Sequence, residues 1–455
     1  MAWNRRQFLS AVPSAFAAAT PPHSPPNIIL ILADDLGYGD LGCFGQRMFA
    51  TPNIDRMAAE GIRFTQVYAG ASVCAPSRCS LMTGMHSGHA AIRANRGASG
   101  RVPLRPDDLT VAEVLKKAAY TTGIIGKWGL GEAGSTGIPN AQGFDHFFGF
   151  LNQDHALEYY PSHLWHNLTE FFPPGNQGAK RKQYVQDMFT DGALQFLREN
   201  RARPFFLYLA YTVPHAQSEL GRDTGDGFVV PSYEPYQNKD WPRPEKGFAA
   251  MVYLLDRDVG RLLQELKTLG LESNTCVLFS SDNGPAEDGG HTPDFFGSRG
   301  GLRGMKGTVY EGGIRVPAIA RWPGRIPAGK VSGQVWSFWD FLPTAAELAG
   351  LSPPAGIDGR SFLPALFGGV AGNRRPLYWE QKSGGFTQAV RHGDWKGIRH
   401  GGRDGSFELY RLEQDREELK DRSAEHPEIV RDLSRLMREQ HLNNPEYPVP
   451  GNVIL

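Results

Sequence analysis

The sequence predicts an α/β fold with a doubly wound, mostly parallel central sheet flanked by helices, followed by a smaller C-terminal antiparallel sheet with one helix. Three observations lead to this prediction. Continuous apolar runs of strand length, at 27–33, 205–211 and 275–281, alternate with helical patterns. Chemically reactive residues follow the ends of these runs. The C-terminal part carries short strand patterns between glycine-rich turns.

The elements of the larger part follow from local signals. Pro52 suits the first position of a helix, and Thr110 with Glu113 has the spacing of a capping box. Apolar residues from Met251 to Leu269 recur at helical spacing. The predicted strands are 27–33, 64–68, 120–126, 205–211 and 275–281, and the predicted helices are 52–60, 110–119, 251–269 and 336–349.

A boundary is predicted at Pro353-Pro354 and Gly356, where turn-forming residues cluster. Beyond it the sequence predicts four short strands and one charged helix, at 377–380, 387–391, 396–399, 408–412 and 427–440. We therefore predict a catalytic domain at 21–355 and an α+β subdomain at 356–455.

Residues 1–20 are predicted to be a targeting segment. Arg5 and Arg6 precede a weakly apolar run and a small-residue pattern at 17–19, which resembles a twin-arginine export signal. No other apolar run approaches the roughly 18 residues that cross a bilayer. The sequence predicts an exported protein, periplasmic or secreted, that uses the twin-arginine machinery and has no stable membrane insertion.

Composition limits the classes of partner and bonding. The 455 residues include 48 basic and 48 acidic side chains, so no overall field favours nucleic acid. The four cysteines, Cys43, Cys74, Cys79 and Cys276, are too scattered for a disulfide framework or a zinc site. Any anionic substrate must therefore be bound by a local cluster of cations.

Two acidic pairs follow buried strands and predict a metal site. Asp34 and Asp35 end the first apolar run, and Asp282 and Asn283 end the run at 275–281. Carboxylate and amide oxygens suit calcium, or magnesium, better than zinc. Taken singly, each pair is also compatible with a solvated loop or a helix cap.

Cys74 stands in Cys-Ala-Pro-Ser-Arg, followed by Leu-Met-Thr-Gly at 81–84. This order resembles the signature of the type I sulfatases, members of the alkaline phosphatase superfamily, in which a maturation enzyme oxidises the cysteine to formylglycine (3-oxoalanine). The resemblance extends over nearly the whole of the chain that follows the predicted targeting segment. It implies metal ligation by Asp34, Asp35, Asp282, Asn283 and modified Cys74, and catalytic roles for Arg78, Lys127, His215 and Lys306.

The resemblance also implies a mechanism for sulfate monoester hydrolysis. One hydroxyl of an aldehyde hydrate attacks sulfur, and the other expels sulfate from a covalent sulfo-enzyme intermediate. Arg78, Lys127 and Lys306 would stabilise transition-state charge. Asp282 would accept the proton of the nucleophile, and His215 would donate one to the departing alcohol. The expected substrate is a sulfated small molecule or glycan, with a carbohydrate sulfate as first choice.

One position departs from the family pattern. Gly129 stands where Gly-Lys-Trp is commonly followed by histidine, and glycine cannot act as a base. We hypothesise that His155 reaches the same space, although a loop histidine is an equally good interpretation. A polar rim around a sugar is expected from the loops that carry His89, Arg93, His291 and Arg303.

Two alternatives stay open at this point. A phosphodiesterase or phosphonate monoester hydrolase resembles sulfatases in fold and also uses formylglycine. A non-catalytic protein that binds sulfated glycans would retain a degenerate site, and Gly129 is the residue that keeps this alternative open.

Overall fold

The structure is a computed structural model that describes residues 25–372, 375–382, 385–402 and 405–449. The export signal predicted for residues 1–20 lies outside the described residues. The strands are β1 (Asn27–Ala33), β2 (Ile62–Tyr68), β3 (Thr121–Lys127), β4 (His146–Phe150), β5 (Leu164–His166), β6 (Thr169–Phe171), β7 (Phe205–Ala210), β8 (Thr275–Ser281), β9 (Arg315–Arg321), β10 (Lys330–Ser332), β11 (Trp336–Ser337), β12 (Leu377–Gln381), β13 (Thr387–His392), β14 (Trp395–His400) and β15 (Phe407–Arg411). The helices are α1 (Pro52–Ala59), α2 (Cys74–Thr83), α3 (Val111–Lys116), α4 (Val185–Asn200), α5 (Ser218–Thr224), α6 (Arg243–Thr268), α7 (Pro293–Phe296), α8 (Glu311–Ile314), α9 (Phe341–Leu348), α10 (Leu363–Leu366) and α11 (Pro427–Glu439).

The central sheet confirms the predicted fold class. Its spatial order is β10-β2-β9-β8-β1-β7-β3-β4-β5-β6, and β11 pairs with β2. β1 lies between β7 and β8 and is parallel to both, and β3 is parallel to β7 and β4. Alternate residues of β1 enter two different cores: Ile28 and Leu30 pack with α2, α3 and α9, whereas Ile29 and Ile31 pack with α1, α4 and α6. A strand buried on both faces explains the continuous apolar run.

Strand β9 is absent from the sequence prediction. It carries Pro317 between two arginines, and proline inside a central strand argues against that assignment. The structure resolves the conflict with a register shift in β2 between Phe64 and Val67, which lies opposite Pro317. A bulge there removes the need for the backbone N–H that proline lacks.

Three predicted helices differ from the observed ones by more than two residues. The helix predicted at 251–269 begins earlier, at Arg243, and ends at Thr268. The helix expected at 336–349 begins at Phe341, because Trp336 and Ser337 pair with β2 and Ser337 forms a capping box with Asp340. The helix that begins after Thr110 has the predicted capping box with Glu113. It ends at Lys116 rather than at residue 119, since Ala119 adopts a left-handed backbone with φ of 60°.

The C-terminal sheet is antiparallel, with the order β12-β13-β14-β15, and α11 packs on it. Its other face contacts the central sheet, where the Trp379 indole donates a hydrogen bond to the Ala69 carbonyl oxygen at 2.9 Å. The buried Lys396 ammonium lies 2.9 Å from carboxylates of both Glu311 and Glu418. The subdomain is therefore fixed against the loops that surround Cys74. The boundary at residue 355 stays a prediction.

Among the described residues, no helix is both long enough and apolar enough to cross a membrane.

Candidate active site

Cys74 is the first residue of α2 and is buried. Val73, which precedes it, has an extended backbone, and the helix ends at Gly84 with a left-handed φ of 71°. All ten residues of α2 are buried, so the helix start is held rigidly. The Cys74 sulfur lies 3.4 Å from Oδ1 of Asp34. The first backbone N–H groups of a helix favour negative charge, which suits a nucleophile or an anionic substrate at this point.

The two acidic pairs meet because β1 and β8 are neighbouring parallel strands. Ala33 pairs with Ser281, so the residues that follow both strands leave the same edge of the sheet. The backbone N–H of Asp35 donates to Oδ1 of Asp282 at 3.2 Å, and Nδ2 of Asn283 donates to Oδ1 of Asp35 at 2.7 Å. Asp35 has a φ of 66°, a strained conformation for a residue other than glycine.

The donor set fits a hard divalent cation. Oδ1 of Asn283 is buried and has no hydrogen-bond partner among the described residues. A buried polar atom without a partner costs free energy, so its presence indicates a missing ligand. Asp34, Asp35 and Asp282 supply carboxylate oxygens beside it. Calcium and magnesium prefer this type of donor.

Three permanent cations surround the carboxylates. The Lys127 ammonium lies 2.6 Å from Oδ2 of Asp34, and the Lys306 ammonium lies 2.7 Å from Oδ2 of Asp35. The Arg78 guanidinium donates twice to Oδ2 of Asp282, at 3.0 and 2.8 Å. A third Arg78 bond reaches the Lys127 carbonyl oxygen at 2.9 Å, which ties the end of β3 to the nucleophile helix.

His215 lies within the same cluster. Its Nδ1 is 2.6 Å from the Ala216 carbonyl oxygen, so Nδ1 carries the hydrogen. Its Nε2 therefore presents a lone pair to the Lys306 ammonium, 3.0 Å away, and lies 3.3 Å from Oδ2 of Asp35. Burial lowers the pKa of His215, although Asp35 opposes the shift. In this arrangement Lys306, rather than His215, holds the proton between them.

Burial and neighbouring charges shift the pKa values of the carboxylates in opposite directions. Burial and the neighbouring Asp34 raise the pKa of Asp282 to about 6, although Arg78 opposes the shift. For Asp34, burial would also raise the pKa, but Lys127 and other nearby cations hold it well below its ordinary value. Burial raises the pKa of the Cys74 thiol. A thiolate is therefore disfavoured at this position, and the encoded cysteine is a poor nucleophile as it stands.

The space beside Gly129 is taken by Gln153. A Cβ atom on Gly129 would lie 2.1 Å from Nε2 of Gln153, and Gly129 has a left-handed φ of 78°. Nε2 of Gln153 is buried without a partner among the described residues. Gly129 also lines a pocket together with Ala75, the residue that follows Cys74. Sequence reasoning missed Gln153, although the residue follows the end of β4, which is parallel to β3.

The proposal for His155 is not supported by its location. Its ring contacts Phe150 and His163, with centroid distances of 4.7 and 4.2 Å, and Nε2 lies 3.9 Å from Glu158. Burial lowers the pKa of His155 to about 4. None of the described contacts of His155 involves Cys74 or Gly129, because the short turn after β4 directs Gln153 there instead.

The expectation of a polar rim is wrong for two of its four residues, because their side chains are buried. Arg93 is buried and donates to Glu380 and the Leu442 carbonyl oxygen. His291 is buried, bonded to Glu245 and stacked on Phe248 at a centroid distance of 4.0 Å. Both side chains therefore hold elements together, and neither lies on an open rim.

The other two rim residues also have protein partners. Arg303 donates to the Tyr410 hydroxyl and the Glu418 carbonyl oxygen, which joins the loop before α8 to the C-terminal subdomain. Nδ1 of His89 lies 2.8 Å from Asp358. His86 and His89 with Asp358 have the composition of a metal site. However, Nδ1 of His86 accepts from the Gly88 N–H, which leaves the hydrogen on Nε2, facing Gln440. This cluster is satisfied by its own hydrogen bonds.

Comparisons with known proteins agree with this geometry. A family model described as "Sulfatase" matches residues 26–351, and one described as "N-sulphoglucosamine sulphohydrolase, C-terminal" matches residues 305–443. N-acetylgalactosamine-6-sulfatase of Canis lupus familiaris is 36% identical over 418 residues, which cover 87% of this chain and 75% of that protein. Arylsulfatase A of Homo sapiens is 36% identical over 436 residues, covering 86% and 77%. The crystal structure of Ps i-CgsB in complex with k-i-k-neocarrahexaose has a TM-score of 0.78 at 30% identity and covers 94% of this chain and 96% of that one.

Proposed function

This chain belongs to the sulfatase family and is a sulfuric ester hydrolase; from that premise we propose that it hydrolyses carbohydrate sulfate monoesters with a formylglycine derived from Cys74 and a divalent cation, calcium or magnesium. The proposed metal ligands are Asp34, Asp35, Asp282, Asn283 and modified Cys74. The proposed groups for binding and catalysis are Arg78, Lys127, His215 and Lys306.

The observation that carries the proposal is the balance of charge around Cys74. Three carboxylates face three permanent cations within hydrogen-bond distance, and His215 is neutral in the tautomer described above. The cluster alone is therefore close to neutral. A divalent cation at Asn283 would leave a net charge of about +2 in a buried site, which attracts a sulfate ester and stabilises charge that develops on it.

The modified residue would supply the second hydroxyl that allows sulfate release, and the cation would polarise the sulfate oxygens. The chain's own groups supply orientation and protons. Arg78 fixes Asp282, the proposed proton acceptor, through two hydrogen bonds to Oδ2. His215 can donate to a departing alcohol only after Nε2 takes a proton. Lys306 keeps its own proton, because Asp35 holds the pKa of Lys306 well above its ordinary value despite burial.

A carbohydrate ester is favoured by what the relatives are named for. One is an N-acetylgalactosamine-6-sulfatase, and a structural neighbour was solved with a carrahexaose. The export route, the periplasmic or secreted location, the formylglycine-generating enzyme and the domain limits at 20 and 355 belong to the same proposal. Each follows from sequence patterns or from family membership.

Parallel turnover of an aryl sulfate and an aryl phosphodiester tests the reaction. We expect kcat/KM for the sulfate ester to exceed that for the diester, because Lys127, Lys306 and His215 all lie close to the carboxylates of Asp34 and Asp35 and so form a compact group that suits a small anion. A preference for the diester would instead identify a phosphodiesterase or phosphonate monoester hydrolase. No turnover of either ester by fully modified protein would support a protein that only binds sulfated glycans.

We propose that Gln153, and not His155, is the side chain that acts in the space beside Gly129, where the family pattern has a histidine. Gln153→Ala is expected to lower kcat/KM for an aryl sulfate by roughly 10-fold, the loss of about one hydrogen bond to a charged group. His155→Ala is expected to leave kcat within about two-fold of wild type, since its contacts lie elsewhere. Steady-state kinetics of both variants decide between them. A large loss in His155→Ala with a wild-type melting temperature would restore the hypothesis that His155 serves this space.

A further inference from the structure

Lys382 of the C-terminal subdomain is a cation with no hydrogen-bonded counter-ion among the described residues. It directly follows β12 and is half-buried, yet its ammonium is shielded from solvent and has no hydrogen-bond partner among the described residues. Burial lowers the pKa of Lys382 to about 8. A shielded ammonium that lacks an anion is unfavourable, so such groups in proteins are normally paired.

Glu380, the carboxylate whose charge acts on Lys382, has other partners on both of its oxygens. Oε1 of Glu380 accepts from Arg93 at 3.3 Å, while Oε2 accepts from the Tyr378 hydroxyl at 2.9 Å and lies 2.7 Å from Nδ1 of His441. These contacts orient the imidazole of His441. Its Nε2 is buried and, like the Lys382 ammonium, has no partner in the described part of the chain.

Lys382 and His441 both contact the Phe386 ring. The Lys382 ammonium lies 5.9 Å from the centroid of Phe386 and 5.7 Å from that of Tyr447. The Phe386 ring also contacts the His441 ring, with a centroid distance of 6.0 Å. Cation–π contact at such distances holds a lysine weakly, and its long stem leaves it able to turn toward a stronger partner.

The position of Lys382 relative to Cys74 follows from β12. Oε1 of Gln381 accepts a hydrogen bond from the Ser72 hydroxyl at 2.9 Å, and the Ser72 carbonyl oxygen accepts from the Gly307 N–H, next to Lys306. Successive residues of a strand point to opposite faces. Gln381 therefore faces the loop before Cys74, whereas Lys382 faces the C-terminal segment that carries His441. Lys382 therefore lies one residue from a side chain that bonds to the loop before Cys74.

We propose that Lys382 and His441 form a subsite for a second anionic group, a carboxylate or a further sulfate ester, on a glycan whose scissile sulfate lies at Cys74. The ammonium and a protonated Nε2 would each donate to an oxygen of that group. The inference rests on the proposed function, because it assumes a sulfated sugar in the active site. It predicts a preference for polyanionic glycans over singly sulfated ones.

Kinetics of Lys382→Ala test the subsite. The probes are 4-nitrophenyl sulfate, N-acetylgalactosamine 6-sulfate, its disulfated form and its disaccharide with a uronic acid. For wild type we expect a higher kcat/KM on at least one of the two doubly charged sugars. In Lys382→Ala the ratio of kcat/KM for the doubly charged sugar to kcat/KM for the singly sulfated sugar is expected to fall by about 10-fold or more, because KM for the doubly charged sugar rises. Turnover of the aryl sulfate is expected to stay unchanged. The two doubly charged probes distinguish a sulfate-binding from a carboxylate-binding subsite.

Lys420→Ala, which removes an exposed lysine of the same subdomain, is the matched control and is expected to behave as wild type. The melting temperature of Lys382→Ala should equal or exceed that of wild type, because an unpaired shielded cation is removed. The subsite is refuted if wild type turns over the aryl sulfate but does not favour a doubly charged sugar, or if Lys382→Ala loses activity equally on all probes. Failure of the proposed function would differ, since wild type would then turn over none of the four sulfate esters.

Discussion

Cys74→Ala is expected to abolish sulfate ester hydrolysis, with a loss of about 10⁴-fold or more in kcat, as for other nucleophile deletions. The reason is that none of the surrounding groups can replace the attacking atom. Asp34 and Asp282 are held by Lys127 and Arg78. Alanine fits the helix start, so the fold should persist. Steady-state turnover of an aryl sulfate, with the melting temperature measured alongside, checks this prediction.

Cys79→Ala is the matched control for that variant. Cys79 lies on the same helix and is fully buried, but it packs in the apolar core and not in the acidic cluster. Its loss should cost about 1 kcal/mol of stability from a small cavity and leave kcat nearly unchanged. Equal loss of activity in both variants would indicate damage to the helix rather than removal of a nucleophile.

Removal of divalent cations is expected to lower turnover by about 100-fold or more and to lower the melting temperature, because a ligand that binds only the folded state stabilises it. Without the cation, Oδ1 of Asn283 is left buried and unpaired. Dialysis against a chelator, followed by addition of calcium or magnesium, should reverse both effects. Activity and melting curves measure them, and the more effective ion identifies the metal.

Asn283→Ala should raise the calcium concentration needed for half-maximal activity by about 10-fold or more, since a ligand oxygen and the hydrogen bond to Asp35 are both lost. Asn274→Ala provides the comparison. Asn274 immediately precedes β8 and Asn283 lies after its end, so the control residue lies at the opposite end of the same strand. Full activity after exhaustive chelation, or equal calcium dependence of the two variants, would contradict the metal assignment.

The approach of the acidic pairs to Cys74 could be predicted from sequence because it depends on topology alone. Parallel strands deliver the residues after their carboxyl ends to one edge of the sheet, and β1 and β8 are recognisable as apolar runs. The positions of Lys127 and His215 are explained by the same rule for β3 and β7. Strand β9 was not predictable in this way. Its Pro317 is accommodated by a bulge in β2, which pairs with β9 in space but lies far from it in the sequence.

Side-chain partners across the tertiary structure could not be predicted from sequence. Arg93 and His291 resembled substrate-binding residues because they are polar and near the motifs, but both are buried by residues distant in the chain, Leu442 and Glu245. Gln153 carried no signal of its own. Its relation to Gly129 depends on a Cβ position that only the folded backbone defines.

The state of Cys74 tests the central claim most directly. Trypsin cleavage after Arg63 and Arg78 releases peptide 64–78, in which Cys74 is the only cysteine, and cleavage after Arg93 releases peptide 79–93 with Cys79. In active protein from a host with the maturation enzyme, mass spectrometry should find the Cys74 sulfur replaced by an aldehyde oxygen and the Cys79 thiol intact. An unmodified thiol at Cys74 in protein that hydrolyses sulfate esters at the full rate would contradict the proposal.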